Sequence, residues 1–281
     1  MFTPDQYALL DYGNGRKLER FGQVLVDRPA PAAEGLAPQD PPLWRMAAAR
    51  YERTAGDRGK WRWHGILPEP WTVAHGGVTL ELKPTPFGHL GLFPEQAANW
   101  DWIARRTARA PKPIKLLNLF AYTGAATLAA AGVGAEVTHV DAARNTVAWA
   151  RRNAHRSGLA AAPIRWIVDD ARTFVGRELK RGNRYHAVVL DPPSYGHGPN
   201  GKVWLLEWKL LELLTLCFEL ISTEPRFVLL SCHSPGFDAP RLAEVLSSAT
   251  PDGAIEALDM EIHTTAQRSL SSGASARWTT A

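Results

Sequence analysis

Short apolar segments alternate with longer helical segments from residue 115 to residue 249, and this alternation constrains the fold more than any other feature. The periodicity predicts strands near 115–120, 136–141, 164–168, 185–190 and 226–232. It predicts helices near 124–132, 143–157, 170–181, 203–222 and 239–249. Strands that alternate with helices form a parallel sheet with both faces covered. The sequence therefore predicts an α/β fold with a doubly wound sheet. Two further strands, near 254–262 and 274–279, would join through a polar turn at 267–273 and bring the sheet to seven strands.

The first part of the chain has a different pattern, so we predict two domains, a small mainly β module at 1–86 and the doubly wound domain at 87–281. Asn14-Gly15 between two apolar segments, 7–11 and 18–27, is a hairpin signal. A Pro- and Ala-rich stretch, 28–42, predicts a linker or surface loop. The module also carries Trp44, Trp61, Trp63 and Trp71. We expect these rings to pack in the core of the module, and the alternative is that one or two of them stack on an RNA base.

One turn in the doubly wound pattern has the form of a ligand-binding turn. It is Phe120-Ala121-Tyr122-Thr123-Gly124, where the first strand stops at the N-terminus of a helix. A dinucleotide oxidoreductase would need Gly-x-Gly-x-x-Gly here, because a pyrophosphate must approach bare backbone. Phe120 and Tyr122 occupy positions where small residues would be needed, so the turn disfavours an oxidoreductase.

Polar residues lie at the carboxyl ends of four of the predicted strands. They are Asp141, Asp170, Asp191 and Cys232. Ligands of open α/β sheets bind beyond the carboxyl ends of the strands, so we expect these side chains to line one site. Asp141 lies about 20 residues after the turn, where a carboxylate can accept both hydroxyls of a ribose.

Five segments in this order resemble the class I S-adenosyl-L-methionine (SAM)-dependent methyltransferases. They are FAYTG, VTHVDAARNTVAWARRNAHRSGL, IVDDARTF, VVLDPPSY and LLSCHS. More narrowly, they are similar to the ribosomal RNA large-subunit methyltransferases that make 5-methylcytosine. The resemblance covers roughly 91–281 and implies a Rossmann-like, seven-stranded sheet with an antiparallel last strand. It also implies SAM as the cofactor.

The resemblance implies which residues contact SAM. They are Phe93, Gln96, Phe120, Ala121, Tyr122, Thr123, Gly124, Asp141, Asp170 and Asp191. Asp141 would hold the ribose, and Asp170 would receive the adenine amino group. Asp170 is also a preferred helix N-cap residue, which is the alternative interpretation. Phe93 and Gln96 belong to a segment that closes over the cofactor in the family.

The acceptor side is implied by two segments, Asp191-Pro192-Pro193-Ser194-Tyr195 and the stretch around Cys232. Asp191 and Cys232 would be catalytic, and Pro192, Pro193 and Tyr195 would contact the substrate. Carbon 5 of cytosine is a poor nucleophile until a thiolate adds to carbon 6, which is the role implied for Cys232. The alternative for this cysteine is a small buried residue at a strand end. Cys217, in an apolar helix, is predicted to be core.

Three function classes therefore remain after the resemblance is considered. A methyltransferase that acts on cytosine carbon 5 of ribosomal RNA comes first, and a methyltransferase that acts on a nitrogen through the Asp191-Pro192-Pro193 loop comes second. A non-catalytic cofactor- or RNA-binding module is the third.

Composition adds limits to these alternatives. The net charge of +4 is compatible with RNA as partner but is small for a dedicated nucleic-acid binder. Two cysteines exclude a disulfide framework and offer no metal spacing, so no metal site is predicted. No apolar run is long enough to span a membrane, and the chain start does not resemble a secretory signal, so a cytoplasmic location is expected. The sequence leaves the oligomeric state open, with a homodimer among the alternatives.

Overall fold

The computed structural model describes residues 1–54, 58–111, 113–197, 203–250 and 252–280. The chain divides into two compact units. The first unit comprises Met1–Ala98 and Glu261–Ser272, and the second comprises Asn99–Met260 and Gly273–Ala281. The predicted boundary between residues 86 and 87 separates domains that fold independently, which compact units do not test, so this boundary stays a prediction.

A five-stranded sheet and a separate hairpin form most of the first unit. The sheet contains β1 (Tyr7–Gly13), β2 (Arg16–Phe21), β3 (Val24–Pro29), β4 (Ala49–Arg53) and β5 (Gly59–Trp63), in that order, and the hairpin contains β6 (Thr72–His75) and β7 (Val78–Glu81). Asn14 and Gly15 have φ of 51° and 69°, the two positive values that a type I′ turn requires, so the hairpin prediction is confirmed. The expected single strand over 18–27 is wrong, because Gly22, with φ of 61°, turns the chain between β2 and β3.

The stretch at 28–42 is not a plain linker. It includes the end of β3, a 3-10 turn at Pro31–Ala33 and the start of a short helix, α1 (Pro41–Trp44). A second 3-10 turn, Pro94–Gln96, lies near the end of the unit's first segment.

Tryptophans pack together in the first unit. The Trp61 and Trp63 rings stack with centroids 5.4 Å apart, and Trp71 lies edge-on to Trp63 at 6.4 Å. Trp71 is buried and donates its indole N–H to the carbonyl of Phe21, while Trp61 donates to the carbonyl of Thr85. Core packing is therefore confirmed for Trp71, whereas Trp61 and Trp63 are half-buried.

The second unit is built on a seven-stranded sheet. Its strands are β8 (Lys115–Leu119), β9 (Glu136–Asp141), β10 (Ile164–Val168), β11 (Ala187–Leu190), β14 (Phe227–Cys232), β15 (Ala254–His263) and β16 (Ser269–Thr279), with residues 261–272 assigned to the first unit. Their order is β10-β9-β8-β11-β14-β16-β15. The first five strands run parallel, and β16 pairs antiparallel with β14. The predicted doubly wound sheet is confirmed. The strand order reverses between β8 and β11, which is where ligands bind in this fold class.

Helices cover both faces of this sheet. They are α2 (Ala97–Ala108), α3 (Ala125–Ala131), α4 (Arg144–Arg156), α5 (Ala171–Lys180), α6 (Leu206–Glu219) and α7 (Ala239–Ala249). Successive residues of a strand point to opposite faces, so Leu117 packs in a cluster with α5, α6 and α7, whereas Leu116 packs with α2 and α3. Cys217 is fully buried in the first of these clusters, which confirms its core assignment.

Two element boundaries differ from the prediction. The helix expected from residue 203 begins at Leu206, because β13 (Val203–Leu205) first pairs with β12 (Tyr195–His197) in a short antiparallel ribbon. The last strand begins at Ser269 and not at Ala274. Its first residues alternate in exposure, with the buried Leu270 between the exposed Ser269 and Ser271. Among the residues that the structure describes, no helix combines the length and the hydropathy needed to cross a bilayer.

Candidate cofactor and acceptor site

The turn after β8 holds a strained backbone. Phe120, Tyr122 and Gly124 all have positive φ, at 54°, 48° and 91°. Non-glycine residues in this region cost about 1–3 kcal/mol each and persist only where the surroundings hold them. Here the Ala121 N–H donates to the carbonyl of Val140 at 3.0 Å, and the amide of Asn153 donates to the carbonyl of Thr123 at 2.9 Å. The turn is thus held against both neighbouring elements, β9 and α4.

Gly124 is the one residue of this turn at which a side chain would not fit. A Cβ built there would lie 3.0 Å from the Cβ of Ala150 in α4. The close approach of the two backbones explains the glycine, together with its φ.

Asp141 ends β9 directly beside this turn. Its Oδ2 accepts the N–H of Tyr122 and its Oδ1 accepts the N–H of Ala143, each at 2.9 Å. Burial raises the pKa of Asp141, although both backbone hydrogen bonds favour the charged carboxylate. Each carboxylate oxygen has two acceptor positions, so the side chain can still accept two ribose hydroxyls.

A buried polar network lies among the strands and the helix that flank the turn. Asn118 donates to the hydroxyl of Thr127 at 2.9 Å, and that hydroxyl lies 2.9 Å from Nδ1 of His139. His139 is fully buried, and its Nε2 has no hydrogen-bond partner among the described residues. Burial lowers the pKa of His139 to about 3, so its ring is neutral. Sequence reasoning missed this network, although polar residues inside two apolar strands could have indicated it.

Asp170 follows β10 and caps α5. Its Oδ1 accepts from both the N–H and the hydroxyl of Thr173, at 2.9 and 2.6 Å. The neighbouring Asp169 bonds the guanidinium of Arg177. The cap is therefore present in the structure, and a contact of Asp170 with adenine stays a prediction.

The structure brings Asp191 and Cys232 together at the carboxyl ends of β11 and β14. The hydroxyl of Ser231 donates to Oδ1 of Asp191 at 2.8 Å, and Nε2 of His233 lies 3.6 Å from the same oxygen. Cys232 is fully buried, and its sulfur accepts the N–H of Ser234 at 3.4 Å. Burial raises the pKa of the Cys232 thiol, the bonds from Ser234 lower it, and the negative charge of Asp191 raises it further.

A tryptophan that sequence reasoning missed joins two segments of the site. We call residues 191–195 the acceptor loop and residues 120–124, after β8, the cofactor turn. The indole N–H of Trp204 donates to the carbonyl of Pro193 at 2.7 Å, and the ring lies 4.9 Å from that of Phe120. Tyr195 pairs with Leu205 across the β12–β13 ribbon and is half exposed. A tyrosine in this position is accessible to a flat acceptor.

Comparison with known proteins decides the family. Residues 48–234 match the S-adenosylmethionine-dependent methyltransferase family. The chain belongs to this family. A SAM-dependent methyltransferase from Agrobacterium tumefaciens, known from its crystal structure, is 36% identical with a TM-score of 0.92, and the match covers 98% of this chain and 90% of that one. A methyltransferase structure from Streptococcus mutans matches with a TM-score of 0.75 at 15% identity, over 98% of this chain and 75% of that one, which shows the fold alone.

Curated relatives of this methyltransferase are larger proteins. The ribosomal RNA large subunit methyltransferase K/L of Stutzerimonas stutzeri is 30% identical over 197 residues, which are 70% of this chain and 24% of that protein. The protein of the same name from Hahella chejuensis is 32% identical over 127 residues, which are 45% of this chain and 17% of that protein. The methyltransferase described here thus spans about a quarter or less of their length.

The site of this methyltransferase fits SAM, which is the cofactor of the family. The carboxylate of Asp141, beside the turn after β8, has acceptor capacity for two ribose hydroxyls. When bound, SAM supplies an electrophilic methyl group on a sulfonium. The enzyme class and the cofactor predicted from the sequence are confirmed.

The remaining predicted contacts of the methyltransferase lie in the first unit. Phe93 packs edge-on to His89 at 5.1 Å, and Gln96 is buried at the end of a 3-10 turn. Their contact with SAM stays a prediction. Within the described ranges, no group of three or more His, Cys, Asp or Glu side chains is arranged to hold a metal ion.

Proposed function

We propose that this methyltransferase modifies a base of RNA, and that its acceptor atom is carbon 5 of cytosine in ribosomal RNA. The observation that carries the proposal is the position of Cys232 at the end of β14, one residue from Ser231, which bonds Asp191. Cys232 and Asp191 therefore both lie at the carboxyl edge of the sheet, where this fold class binds its ligands. The names of the curated relatives, ribosomal RNA large subunit methyltransferases, support RNA as the acceptor.

The chemistry of cytosine explains why a thiol would be needed there. Carbon 5 becomes a nucleophile once a thiolate adds to carbon 6, because the ring then acquires enamine character. After methylation the proton on carbon 5 leaves to a base, and the bond between sulfur and carbon 6 breaks to release the thiolate. A neutral histidine can take that proton, and we assign this role to His233, whose Nε2 lies 3.6 Å from Oδ1 of Asp191.

Burial of Cys232 has two consequences for this proposal. The side chains that cover the thiol must move when a base binds. The raised pKa means that little of the thiolate, which is the reactive form, is present at neutral pH. The proposal therefore expects the rate of methyl transfer to increase with pH above neutrality, until the thiol has ionised.

Methylation of a nitrogen is the second candidate, and the exposure of Tyr195 favours it. Tyr195 is 51% exposed beside the Asp191-Pro192-Pro193 loop, whereas the thiol of Cys232 is fully covered. An aromatic ring that stacks on a base, with a carboxylate that accepts amino protons, needs no thiol.

Substitution of Cys232 separates the two candidates. Under the carbon-5 proposal, Cys232→Ala and Cys232→Ser abolish methyl transfer to large-subunit ribosomal RNA and leave SAM affinity intact, because a serine hydroxyl stays protonated near neutral pH. RNA that contains 5-fluorocytosine should trap the unmodified enzyme covalently, since fluorine does not leave as a proton does. Cys217→Ala is the matched control, because it removes the other buried thiol from α6 and should keep transfer and trapping. Full transfer by folded Cys232→Ala, without a trapped complex, would favour the nitrogen candidate.

A further inference from the structure

We infer that the outer face of the β4–β5 hairpin binds the phosphate backbone of the RNA substrate. We call this surface the basic hairpin and define it by Arg50, Arg58, Lys60 and Arg62. The inference rests on the proposed function, in which RNA is the acceptor.

Positive charge is concentrated in this short segment. Residues 49–63 contain five basic and two acidic residues, which is a net charge of +3 out of +4 for the whole chain. The rest of the chain is therefore close to neutral. Such a local excess of one sign is the electrostatic footprint of a surface that binds a polyanion.

The alternation of the two strands places these charges on one face. Tyr51 is buried and Trp61 and Trp63 are half-buried, so their rings occupy the inner face of the hairpin. Arg50, Lys60 and Arg62 occupy the alternate positions and are exposed. Aromatic packing on the inner face thus holds the basic side chains on the outer face.

One cross-strand pair in the basic hairpin works against stability. Arg50 lies directly opposite Arg62, and like charges in this arrangement destabilise a sheet. Glu52 offsets part of the repulsion, 2.6 Å from Arg62 and 3.9 Å from Arg50, and Asp27 lies 3.5 Å from Arg50. No ion pair of Lys60 occurs within the described ranges, so its charge remains available for a ligand.

Protection of a sheet edge does not explain the pattern. β5 is the last strand of its sheet, and basic residues on edge strands do prevent unwanted pairing. Arg50, however, belongs to β4 and has a paired strand on each side, opposite Asp27 of β3 and Arg62 of β5. A surface for phosphates accounts for both strands.

An exposed aromatic ring adjoins the basic hairpin. Phe87 is 48% exposed, and the guanidinium of Arg58 lies over its ring at 5.8 Å from the centroid. Exposed rings beside basic residues stack on bases of single-stranded nucleic acid, and arginine binds phosphate through paired hydrogen bonds. The surface fits a single-stranded segment of RNA.

Salt dependence of RNA binding tests the inference. The double variant Lys60→Gln/Arg62→Gln is compared with the unmodified enzyme for binding to a fluorescent oligouridine RNA of roughly 20 nucleotides at several KCl concentrations. Each phosphate contact to single-stranded RNA contributes about 0.7 to the slope of log K against log salt, so loss of two contacts should reduce the slope by about 1.4. In methyl transfer to large-subunit ribosomal RNA, the double variant should show a raised KM and a retained kcat.

Two control variants make the result specific to the basic hairpin. Lys60→Arg/Arg62→Lys keeps the charges and should keep the slope. Arg152→Gln/Arg156→Gln removes the same charge from exposed positions of α4 and should also keep it. An equal reduction of the slope in the α4 variant, or an unchanged slope in Lys60→Gln/Arg62→Gln, overturns the inference while the proposed function stands. Failure of the unmodified enzyme to bind or methylate any RNA overturns both.

Discussion

At the scale of single residues, the site depends on acids that have several hydrogen-bond partners each. Asp141 holds the cofactor turn through the N–H of Tyr122 and has acceptor capacity left for a ribose. Asp191 accepts a hydrogen bond from the hydroxyl of Ser231, and its Oδ1 lies 3.6 Å from Nε2 of His233. We expect Asp141 to serve the cofactor side of the site and Asp191 to serve the acceptor side.

Replacing Asp141 by alanine should weaken SAM binding by about 1.5–3 kcal/mol, the range for loss of a hydrogen bond to a charged group. Isothermal titration calorimetry measures the change. Asp169→Ala is the control, because it removes the neighbouring strand-end acid, whose partner is Arg177. An unchanged affinity in folded Asp141→Ala would remove this residue from the cofactor site. Added chelator should leave SAM affinity unchanged.

Replacing Asp191 by alanine should abolish methyl transfer and change SAM affinity little, because its carboxylate faces the acceptor side. Transfer is measured with radiolabelled SAM and binding by calorimetry. Ser231→Ala removes the 2.8 Å hydrogen bond to Asp191 and a 3.5 Å hydrogen bond to the carbonyl of Leu190, and it should retain measurable transfer. If Asp191→Ala transfers methyl groups at the normal rate, the Asp191-Pro192-Pro193 loop is only a structural turn.

At the scale of elements, the contact between the cofactor turn and α4 fixes the site. Gly124 and Gly134 offer a matched pair, since their φ values are +91° and +95°. A Cβ at Gly124 would lie 3.0 Å from the Cβ of Ala150, whereas a Cβ at Gly134 would meet nothing within 4 Å. Alanine at positive φ costs roughly 1–2 kcal/mol in either position. Gly124→Ala should lower the unfolding free energy by more than this backbone cost and should also weaken SAM binding. Gly134→Ala should lower the unfolding free energy by the backbone cost alone. Urea unfolding and calorimetry distinguish them, and equal losses in both variants would refute the role of the contact.

Burial of His139, a residue of β9, makes stability depend on pH. Its pKa is about 3 in the folded chain and about 6.5 when unfolded, so the unfolded chain binds the proton first as pH falls. The contribution of the neutral ring is complete above pH 6.5 and is lost toward pH 3, by at most about 1.4 kcal/mol per pH unit. His139→Leu should reduce the mean slope of unfolding free energy between pH 7 and 5.5 by about 0.6 proton. His155→Leu, at an exposed position of α4, should leave the slope almost unchanged.

At the scale of the whole molecule, the first unit combines segments from both parts of the chain. Arg268 lies 2.9 Å from the buried Asp11 and stacks over Tyr12 at 4.0 Å, and Tyr12 donates to the carbonyl of Ser269 at 2.7 Å. The backbones of Leu9 and Thr264 also form a β-bridge. Residues near 270 are thus part of the N-terminal unit.

Replacing Arg268 by alanine should lower the unfolding free energy by about 1.5–3 kcal/mol, because Asp11 stays buried with a charged partner removed. Burial raises the pKa of Asp11, but bonds from Trp44 and from the backbone of Asp40 and Gln39 bring it below its usual value. The carboxylate is therefore charged at neutral pH, and the stability it contributes is lost only as pH falls below about 4. Arg241→Ala breaks an exposed pair with Glu244 and should cost less than about 1 kcal/mol. Similar urea midpoints for both variants would contradict the importance of Arg268.

Local patterns in the sequence were sufficient for the doubly wound sheet and for the position of the strand-end residues. Alternation of apolar strands and helices requires few long-range contacts, and every parallel strand ends at the same edge of the sheet. Asp141, Asp191 and Cys232 could therefore be assigned to one edge before any coordinates were known. The type I′ turn at Asn14-Gly15 was also predictable, because both residues tolerate positive φ.

Tertiary structure alone decided how these residues are surrounded. The bond of Trp204 to Pro193, the burial of the Cys232 thiol and the network around His139 join residues from different elements. Arg268 reaches Asp11 across more than 250 positions of the chain. Such contacts depend on strand order, register and packing, none of which a local hydrophobic period specifies. The sequence by itself determined which residues reach the edge of the sheet, and the packing of the folded chain determined their partners, their exposure and their pKa values.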